Sequence, residues 1–177
     1  MGGMDVAEGK HCEIERKYLI RYPDVALLKA QRGVEQWEIV QIYLTVSGPG
    51  ETRRIRQIVS GGEIRYFKTF KKRLSDLSCE EDEGEIDQLE FIRLSREQQP
   101  GCRPLGKTRY RIPYKGHTLE FDIYPFWNDR AILEIELEKE SEGAAIPDYV
   151  HIIRDVSADP AYKNRALAET VVDEPIP

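Results

Sequence analysis

The sequence predicts a mainly β protein of the α+β class, in which about eight antiparallel strands form the body and helices pack outside them. Apolar and polar residues alternate with a period of two along most of the chain, and turn-forming residues separate the alternating segments. About eight strands are enough for a closed barrel or a strongly curled sheet. The 177 residues suffice for a single domain, predicted over 11–170, with flexible segments at 1–10 and 171–177.

The strand predictions depend on local pattern and on the turns between segments. The run EIVQIYLTV is rich in β-branched and aromatic residues, and the turn-forming sequence SGPG follows it. The sequences SGG at 60–62 and KGH at 115–117 are typical of hairpin loops. The predicted strands cover residues 12–20, 38–46, 53–59, 64–72, 80–86, 107–114, 118–124 and 131–139.

Helices are predicted where proline marks a boundary. A helix over 24–32 follows Pro23, and one over 87–99 ends before Pro100. A third, over 147–154, begins with proline, which the first helical turn tolerates. A fourth is predicted over 160–170.

Composition excludes several classes of protein. Charged residues make up 33% of the chain, and the formal net charge is −6, which argues against a bulk nucleic-acid binder or a protein of anionic membranes. No apolar run could span a bilayer, and the first ten residues lack the apolar core of a secretory signal. The three cysteines are too scattered for a disulfide framework or a CxxC zinc site. We therefore expect a cytoplasmic protein with reduced thiols.

Charge is segregated into alternating basic and acidic blocks. Residues 53–73 are basic, 80–90 acidic, 107–111 basic and 134–138 acidic. Because charges within a block recur with a spacing of two, each set shares one face of a strand. That face is either the solvent side of a half-buried sheet or the wall of an enclosed, wet cavity.

An enclosed cavity of this kind would need a particular ligand, because burying unpaired like charges costs several kcal/mol per ion. Arginine binds phosphate oxygens in pairs, and lysine acts as a point charge. Pairs of glutamates suit Mg²⁺ or Mn²⁺, which commonly bridge substrate phosphates. A cavity with both sets would therefore suit a compound that is nearly all phosphate. The chain has no GxxxxGK[ST] loop, so P-loop chemistry is excluded.

The run Glu13-Ile14-Glu15-Arg16-Lys17 resembles the ExExK signature that opens the CYTH domain, the fold of the triphosphate tunnel metalloenzymes. Further elements follow in the order found in that family. They are RIR at 54–56, TFK at 69–71, KTRY at 107–110, EFD at 120–122, EIE at 134–136 and a closing segment over 155–167. The resemblance covers about residues 11 to 169.

The resemblance implies an eight-stranded antiparallel barrel that forms a tunnel, with a role for each matching residue. Metal ligands would be Glu13, Glu15, Glu134 and Glu136. Asp122 would be a water-bridged ligand or an ion-pair partner of a tunnel arginine. Substrate-binding residues would be Arg54, Arg56, Lys71, Lys107, Arg109 and Arg111. Lys17 would contact the substrate or help position the attacking water. With Tyr43 it would form a catalytic dyad, since a buried lysine can have a depressed pKa and act in acid–base chemistry. The role of the acidic strand at 80–85 stays open.

The function expected from this resemblance is hydrolysis of a short triphosphate with Mg²⁺ or Mn²⁺, most simply of tripolyphosphate to pyrophosphate and phosphate. Two alternatives keep the tunnel: a class IV-type adenylate cyclase, and a thiamine or nucleoside triphosphatase, in which Trp37, Phe67, Phe126 or Trp127 could stack on a ring. A third is a non-catalytic module that binds triphosphate or polyphosphate. The expected partner is a triphosphate-containing small molecule, with no nucleic acid or membrane, and a second copy could pair at the barrel seam.

Overall fold

The structure, a computed structural model, describes residues 9–177 and contains nine β-strands and three α-helices. The strands are β1 Gly9–Arg21, β2 Glu35–Leu44, β3 Glu51–Ser60, β4 Glu63–Arg73, β5 Ser78–Ile86, β6 Leu105–Tyr114, β7 His117–Ile123, β8 Arg130–Glu136 and β9 Ile152–Asp155. The helices are α1 Val25–Lys29, α2 Gln88–Ser95 and α3 Asn164–Glu169, and a 3₁₀ turn over Pro160–Tyr162 precedes α3.

Eight of the strands close into an antiparallel barrel. The neighbours run β5-β4-β3-β2-β6-β7-β8-β1, and β5 pairs with β1 to complete the ring. The long strand β1 makes this closure: its first half pairs with β5, and its second half pairs with β8 on the opposite edge. The predicted mainly β barrel is confirmed.

The apolar core lies largely between the barrel wall and the elements outside it. On β3, Ile55 is fully buried under α2, where it clusters with Leu94. Its neighbours Arg54 and Arg56 point to the opposite side, into the barrel. Helix α1 covers a second apolar cluster through Leu28. Because helices take up the apolar face from outside, the charged face of each strand is left to line the interior.

Helices α1 and α2 begin where an aspartate caps them, and both are shorter than predicted. Asp24 accepts hydrogen bonds from the first turn of α1, and Asp87 does the same for α2. The predicted helix over 160–170 is broken into the 3₁₀ turn and α3, because Lys163 between them has extended backbone angles.

The predicted helix over 147–154 is wrong, because its second half forms strand β9. Strand β5 pairs only with residues 9–14 of β1, so the same edge of β1 is open further along the strand. Strand β9 pairs with that open edge, at residues 18–20 of β1. Its isoleucine pair, Ile152 and Ile153, is β-branched and fits a strand better than a helix.

The structure describes part of the first predicted flexible segment and all of the second. Met1–Glu8 lie outside the described residues, while Gly9 and Lys10 begin β1. Residues 171–177 form no helix or strand but contact the domain: the Trp127 indole donates to the Val172 carbonyl at 2.9 Å. Within residues 9–177, no helix has the length and apolar character that crossing a membrane requires.

Candidate active site

The barrel encloses a cavity of about 620 Å³ whose wall is formed by side chains from all eight barrel strands. Most of these side chains are charged. The basic ones are Lys17, Arg54, Arg56, Lys71, Arg73, Arg109 and Arg111, and the acidic ones from the strands include Glu13, Glu15, Glu81, Glu83, Glu120, Glu134 and Glu136. Residues of α3 and the turn before it, among them Lys163 and Asn164, line the cavity as well.

Arg54 and Arg56 are oriented by Glu83 of the neighbouring acidic strand. The Arg56 guanidinium contacts both oxygens of Glu83, at 2.7 and 2.8 Å, and Arg54 lies 4.0 Å from the same carboxylate. The Thr69 hydroxyl also donates to Glu83. Burial would raise the Glu83 pKa, but the two arginines outweigh it and the pKa is lowered. The carboxylate is therefore ionised and holds both cations in place.

Lys71 lies between two carboxylates from different strands. Its ammonium donates to Glu13 on β1 and lies 2.5 Å from Glu81 on β5. Burial would raise the pKa of Glu13, but the charge and hydrogen bond of Lys71 together with the charge of Arg54 outweigh burial and lower it from 4.5 to about 2. The pair stays ionised across the neutral range.

Arg109 is the centre of a buried ion network. It contacts Asp122 at 2.6 and 2.8 Å and also donates to Glu120 and Glu134. Lys107 lies 2.5 Å from Asp122, and burial together with Arg109 lowers the Lys107 pKa from 10.5 to about 8. Lys107 and Asp122 stand behind the cavity lining, at 5% and 0% exposure. Of the two roles expected for Asp122, the structure shows the ion-pair partner.

The predicted acid–base dyad of Lys17 and Tyr43 is not formed. Lys17 Nζ lies 2.7 Å from Glu134 and 3.7 Å from Glu15. Burial would depress its pKa, but these two carboxylates outweigh burial and raise it, so the expectation of a depressed pKa is wrong. The Tyr43 hydroxyl instead accepts from Gln41 at 2.8 Å, and within residues 9–177 no hydrogen bond joins it to Lys17.

Two of the predicted metal ligands, Glu15 and Glu136, lie on neighbouring strands. They stand opposite each other in the β1–β8 register. Burial and the neighbouring carboxylates, above all Glu134, raise the pKa of Glu15, and burial with Glu13 raises that of Glu136. In the described part of the chain, the Glu136 side chain has neither an ion pair nor a hydrogen bond. Hard oxygen donors that repel one another fit Mg²⁺ or Mn²⁺, and Glu13 lies two residues from Glu15 on the same face.

The predicted substrate-binding cations are already paired with carboxylates. Each predicted substrate-binding residue, and Lys17, lies within 4.0 Å of an interior carboxylate. A polyanion entering the cavity must therefore displace internal carboxylates. Of the predicted metal ligands, Glu134 is already paired with Lys17 and Arg109.

Several lining residues were absent from the predicted site, among them Glu81, Glu83, Cys79 and Lys163. The acidic run at 80–83 has carboxylates on both faces of the strand, so the period of two could not select the inner pair. The β4–β5 register selects it, since it places Glu81 opposite Lys71 and Glu83 opposite Thr69. Lys163 follows a 3₁₀ turn outside any strand pattern and carried no sequence signal.

The four aromatic residues considered for ring stacking are unavailable or removed from the cavity. Trp37 lines the cavity, but the Arg111 guanidinium lies over its ring at 4.3 Å. Phe67 is fully buried in the wall. Phe126 and Trp127 pack on each other and on Tyr124, in the cluster near the C-terminus.

The overall structure is similar to several solved structures. The inorganic triphosphatase NE1496 is 28% identical, with a TM-score of 0.55, and the match covers 95% of this chain and 98% of that one. The PH1819 and PH1012 proteins of Pyrococcus horikoshii OT3 are 23% and 22% identical, with TM-scores of 0.56 and 0.53. These matches cover 73% and 72% of this chain, and 80% and 79% of theirs.

No model of a protein family and no curated protein matches the chain. The structural similarity extends through the closed barrel to nearly the whole of NE1496. The chain therefore has the CYTH-type triphosphate tunnel fold.

Proposed function

We propose that this protein hydrolyses inorganic tripolyphosphate to pyrophosphate and phosphate with Mg²⁺ or Mn²⁺. The observation that carries the proposal is the presence, inside one cavity, of arginines and lysines together with two carboxylates, Glu15 and Glu136, that face each other across neighbouring strands. The similarity to the inorganic triphosphatase NE1496, over nearly the full length of both chains, supports the same activity.

The interior ion pairs explain how such a substrate would bind. Arg54, Arg56 and Arg109 present guanidinium groups that suit phosphate oxygens, and Lys71 presents an ammonium. A triphosphate would replace some of the carboxylates that now pair with these cations. The displaced carboxylates lose their cation partners, so their negative charge requires new compensation. A divalent metal held by Glu13, Glu15 and Glu136 would supply that charge and polarise a phosphoryl oxygen.

Lys17 has an electrostatic role in this proposal. Because Glu134 and Glu15 raise its pKa, the ammonium stays charged and does not act as a general base. It is held next to the facing carboxylates, where negative charge develops on a transferring phosphoryl group. A fixed cation at that place stabilises the transition state without reorganisation.

The aromatic arrangement disfavours a nucleotide or thiamine substrate. A cyclase or a thiamine triphosphatase needs a surface for a ring in addition to the triphosphate site. Trp37 is covered by Arg111, and the Phe126–Trp127 pair belongs to a packed cluster. A purely binding module is disfavoured for another reason: binding a polyanion gains nothing from Glu15 opposite Glu136.

A substrate panel tests the proposal. Purified protein is incubated with tripolyphosphate, ATP or thiamine triphosphate, each with Mg²⁺, with Mn²⁺ and with a chelator, and phosphate, pyrophosphate and cyclic AMP are measured. We expect phosphate and pyrophosphate from tripolyphosphate, only with metal, and loss of turnover in Glu15→Gln. Cyclic AMP from ATP would establish the cyclase instead. Binding of tripolyphosphate without turnover under every metal would establish the binding module.

A further inference from the structure

We propose that Gln41 is a positioning residue: it turns the Tyr43 hydroxyl proton toward the cavity, where Tyr43 donates a hydrogen bond to a phosphate oxygen of the bound substrate. This role rests on the proposed function, because it takes a triphosphate as the ligand of the cavity. It gives Tyr43 a role other than the acid–base dyad and adds Gln41, a residue outside the predicted site.

Gln41 and Tyr43 lie two residues apart on the inner face of β2. Tyr43 lines the cavity, whereas Gln41 is fully buried, at 0% exposure. The Gln41 Nε2 atom donates to the Tyr43 hydroxyl at 2.8 Å. Because Gln41 itself is buried, its amide acts on a ligand of the cavity through this hydroxyl.

The Tyr43 hydroxyl has a proton that is available to a ligand. A hydroxyl group has one donor hydrogen and two acceptor lone pairs, and the Gln41 amide occupies one of the lone pairs. Among residues 9–177, the Tyr43 hydroxyl makes no hydrogen bond in which it donates. Burial raises the Tyr43 pKa against the opposing charge of Arg54, so the hydroxyl keeps its proton at neutral pH.

The surroundings of Gln41 favour this orientation of its amide. The Gln41 Oε1 atom is buried and accepts no hydrogen bond. Half a turn of the amide would pair Oε1 with Tyr43 and put two donor hydrogens in the place that Oε1 now holds. The residues opposite Gln41 on the neighbouring strands are Arg56 and Leu105, and neither side chain has an acceptor. Two buried unpaired donors cost more than one buried unpaired acceptor, so the amide donates to Tyr43.

The environment of the Tyr43 hydroxyl suits an anionic oxygen. Arg54 stands opposite Tyr43 in the β2–β3 register and lines the same cavity. The charges of Lys17 and Lys71 also act on the hydroxyl. A phosphate oxygen at this position is attracted by these cations and accepts the tyrosine proton, and hydrogen bonds to a charged acceptor are the stronger ones.

Steady-state kinetics with tripolyphosphate and Mn²⁺ test this role. We expect KM to rise about tenfold in Tyr43→Phe, which loses a hydrogen bond to a charged group, and about threefold in Gln41→Leu, which loses a neutral one. In both variants kcat should stay unchanged. The double variant Gln41→Leu/Tyr43→Phe should have the KM of Tyr43→Phe, because Gln41 acts through the hydroxyl that is then missing. Gln36→Leu, in an exposed glutamine of the same strand, is the matched control and should keep both constants.

A merely structural role of Gln41 gives a different result, since partial unfolding lowers the apparent kcat and leaves KM unchanged. An unchanged KM in Tyr43→Phe or in Gln41→Leu would overturn the proposed role. So would a lower KM in Gln41→Leu, because Tyr43 would then donate to Gln41, and so would additive rises in the double variant. Far-ultraviolet circular dichroism checks that each variant is folded, and Gln41→Met replaces Gln41→Leu if the latter is not.

The unaltered protein separates failure of this role from failure of the proposed function. Absence of tripolyphosphate turnover in the unaltered protein would overturn the proposed function, and the role of Gln41 with it. Turnover in the unaltered protein, together with any of the contrary results in the variants, would overturn the role of Gln41 alone.

Discussion

Glu15 and Glu136 face each other across strands β1 and β8, although both are carboxylates and no cation is paired with Glu136 in the described part of the chain. Like charges directly opposite in an antiparallel pair destabilise the sheet. The pKa of each carboxyl is raised, by burial first and then by neighbouring carboxylates. We expect a divalent metal bound between the two carboxylates to relieve this repulsion.

Neutralising either carboxylate is therefore expected to increase the stability of the metal-free protein and to weaken metal binding. Glu15→Gln and Glu136→Gln should raise the metal-free free energy of unfolding by roughly 0.2–1 kcal/mol, because a cross-strand repulsion is removed. Calorimetry should show a Tm higher by about 1–4 °C. Isothermal titration should show Mn²⁺ binding weakened at least tenfold. An unchanged Mn²⁺ affinity in both variants would exclude these residues as ligands. Glu138→Gln, in an exposed residue just beyond β8, is the control.

The same carboxylates predict opposite pH trends for metal affinity and stability. Because the pKa values of Glu15 and Glu136 are raised, these groups take up protons at a higher pH than ordinary glutamates, and protons compete with Mn²⁺. Their ionised forms destabilise the fold, so protonation as the pH falls should stabilise the metal-free protein. As the pH falls from neutral toward the ordinary glutamate pKa, we expect Mn²⁺ affinity to fall while Tm holds or rises.

Further acidification should reverse the stability trend. The pKa of Glu13 is lowered from 4.5 to about 2 by Lys71, so its contribution is complete above the unfolded value and is lost as the pH falls from about 4.5 to about 2. Circular dichroism and Mn²⁺ titration over the same pH series measure both quantities. A parallel fall of Tm and affinity between neutral pH and the ordinary glutamate pKa would contradict the assignment.

The barrel and most of the inward-facing residues could be predicted from sequence, because the period of two is a local property. The alternation Arg54-Ile55-Arg56 places two cations on one face and an isoleucine on the other, and the structure agrees. The alternation could not show which face of the strand lines the cavity and which face is covered by other elements. That was decided by α2, which covers Ile55 from outside.

What the sequence could not predict depends on register between distant strands. Lys17 opposite Glu134 keeps that lysine charged, and no local pattern shows which residue of β8 faces it. The same holds for Glu83, whose contact with Arg56 crosses two strand boundaries. Strand β9 was missed for a related reason, since it forms only because β1 extends beyond β5.

The buried Arg56–Glu83 ion pair predicts how much stability the fold loses when one partner is removed. Removing one partner by Glu83→Leu should destabilise the fold by about 3–5 kcal/mol, because it leaves a buried guanidinium without its carboxylate. The double variant Arg56→Met/Glu83→Leu should recover part of this loss, because the Arg56 charge is removed together with its carboxylate, while Arg54 still loses its contact with Glu83. Urea unfolding of the two single variants and the double variant measures this. Tripolyphosphate binding should stay weak in the double variant, and recovery of binding with stability would show that Arg56 does not contact the substrate.

Lys163 provides a test of how far the bound substrate extends along the cavity. It lines the cavity, no carboxylate lies within ion-pair distance of it among residues 9–177, and burial and then the charge of Lys17 lower its pKa. The charges of Lys163 and Lys17 repel each other. A phosphate oxygen that contacts both ammonium groups would therefore stabilise them. Lys163→Met should therefore raise KM for tripolyphosphate by about tenfold or more, since a hydrogen bond to a charged group contributes about 1.5–3 kcal/mol, with Tm unchanged or higher. Lys29→Met, at the exposed end of α1, is the matched control. If KM is the same in both variants, the terminal phosphate does not extend to α3, and the cations on the strands bind the substrate alone.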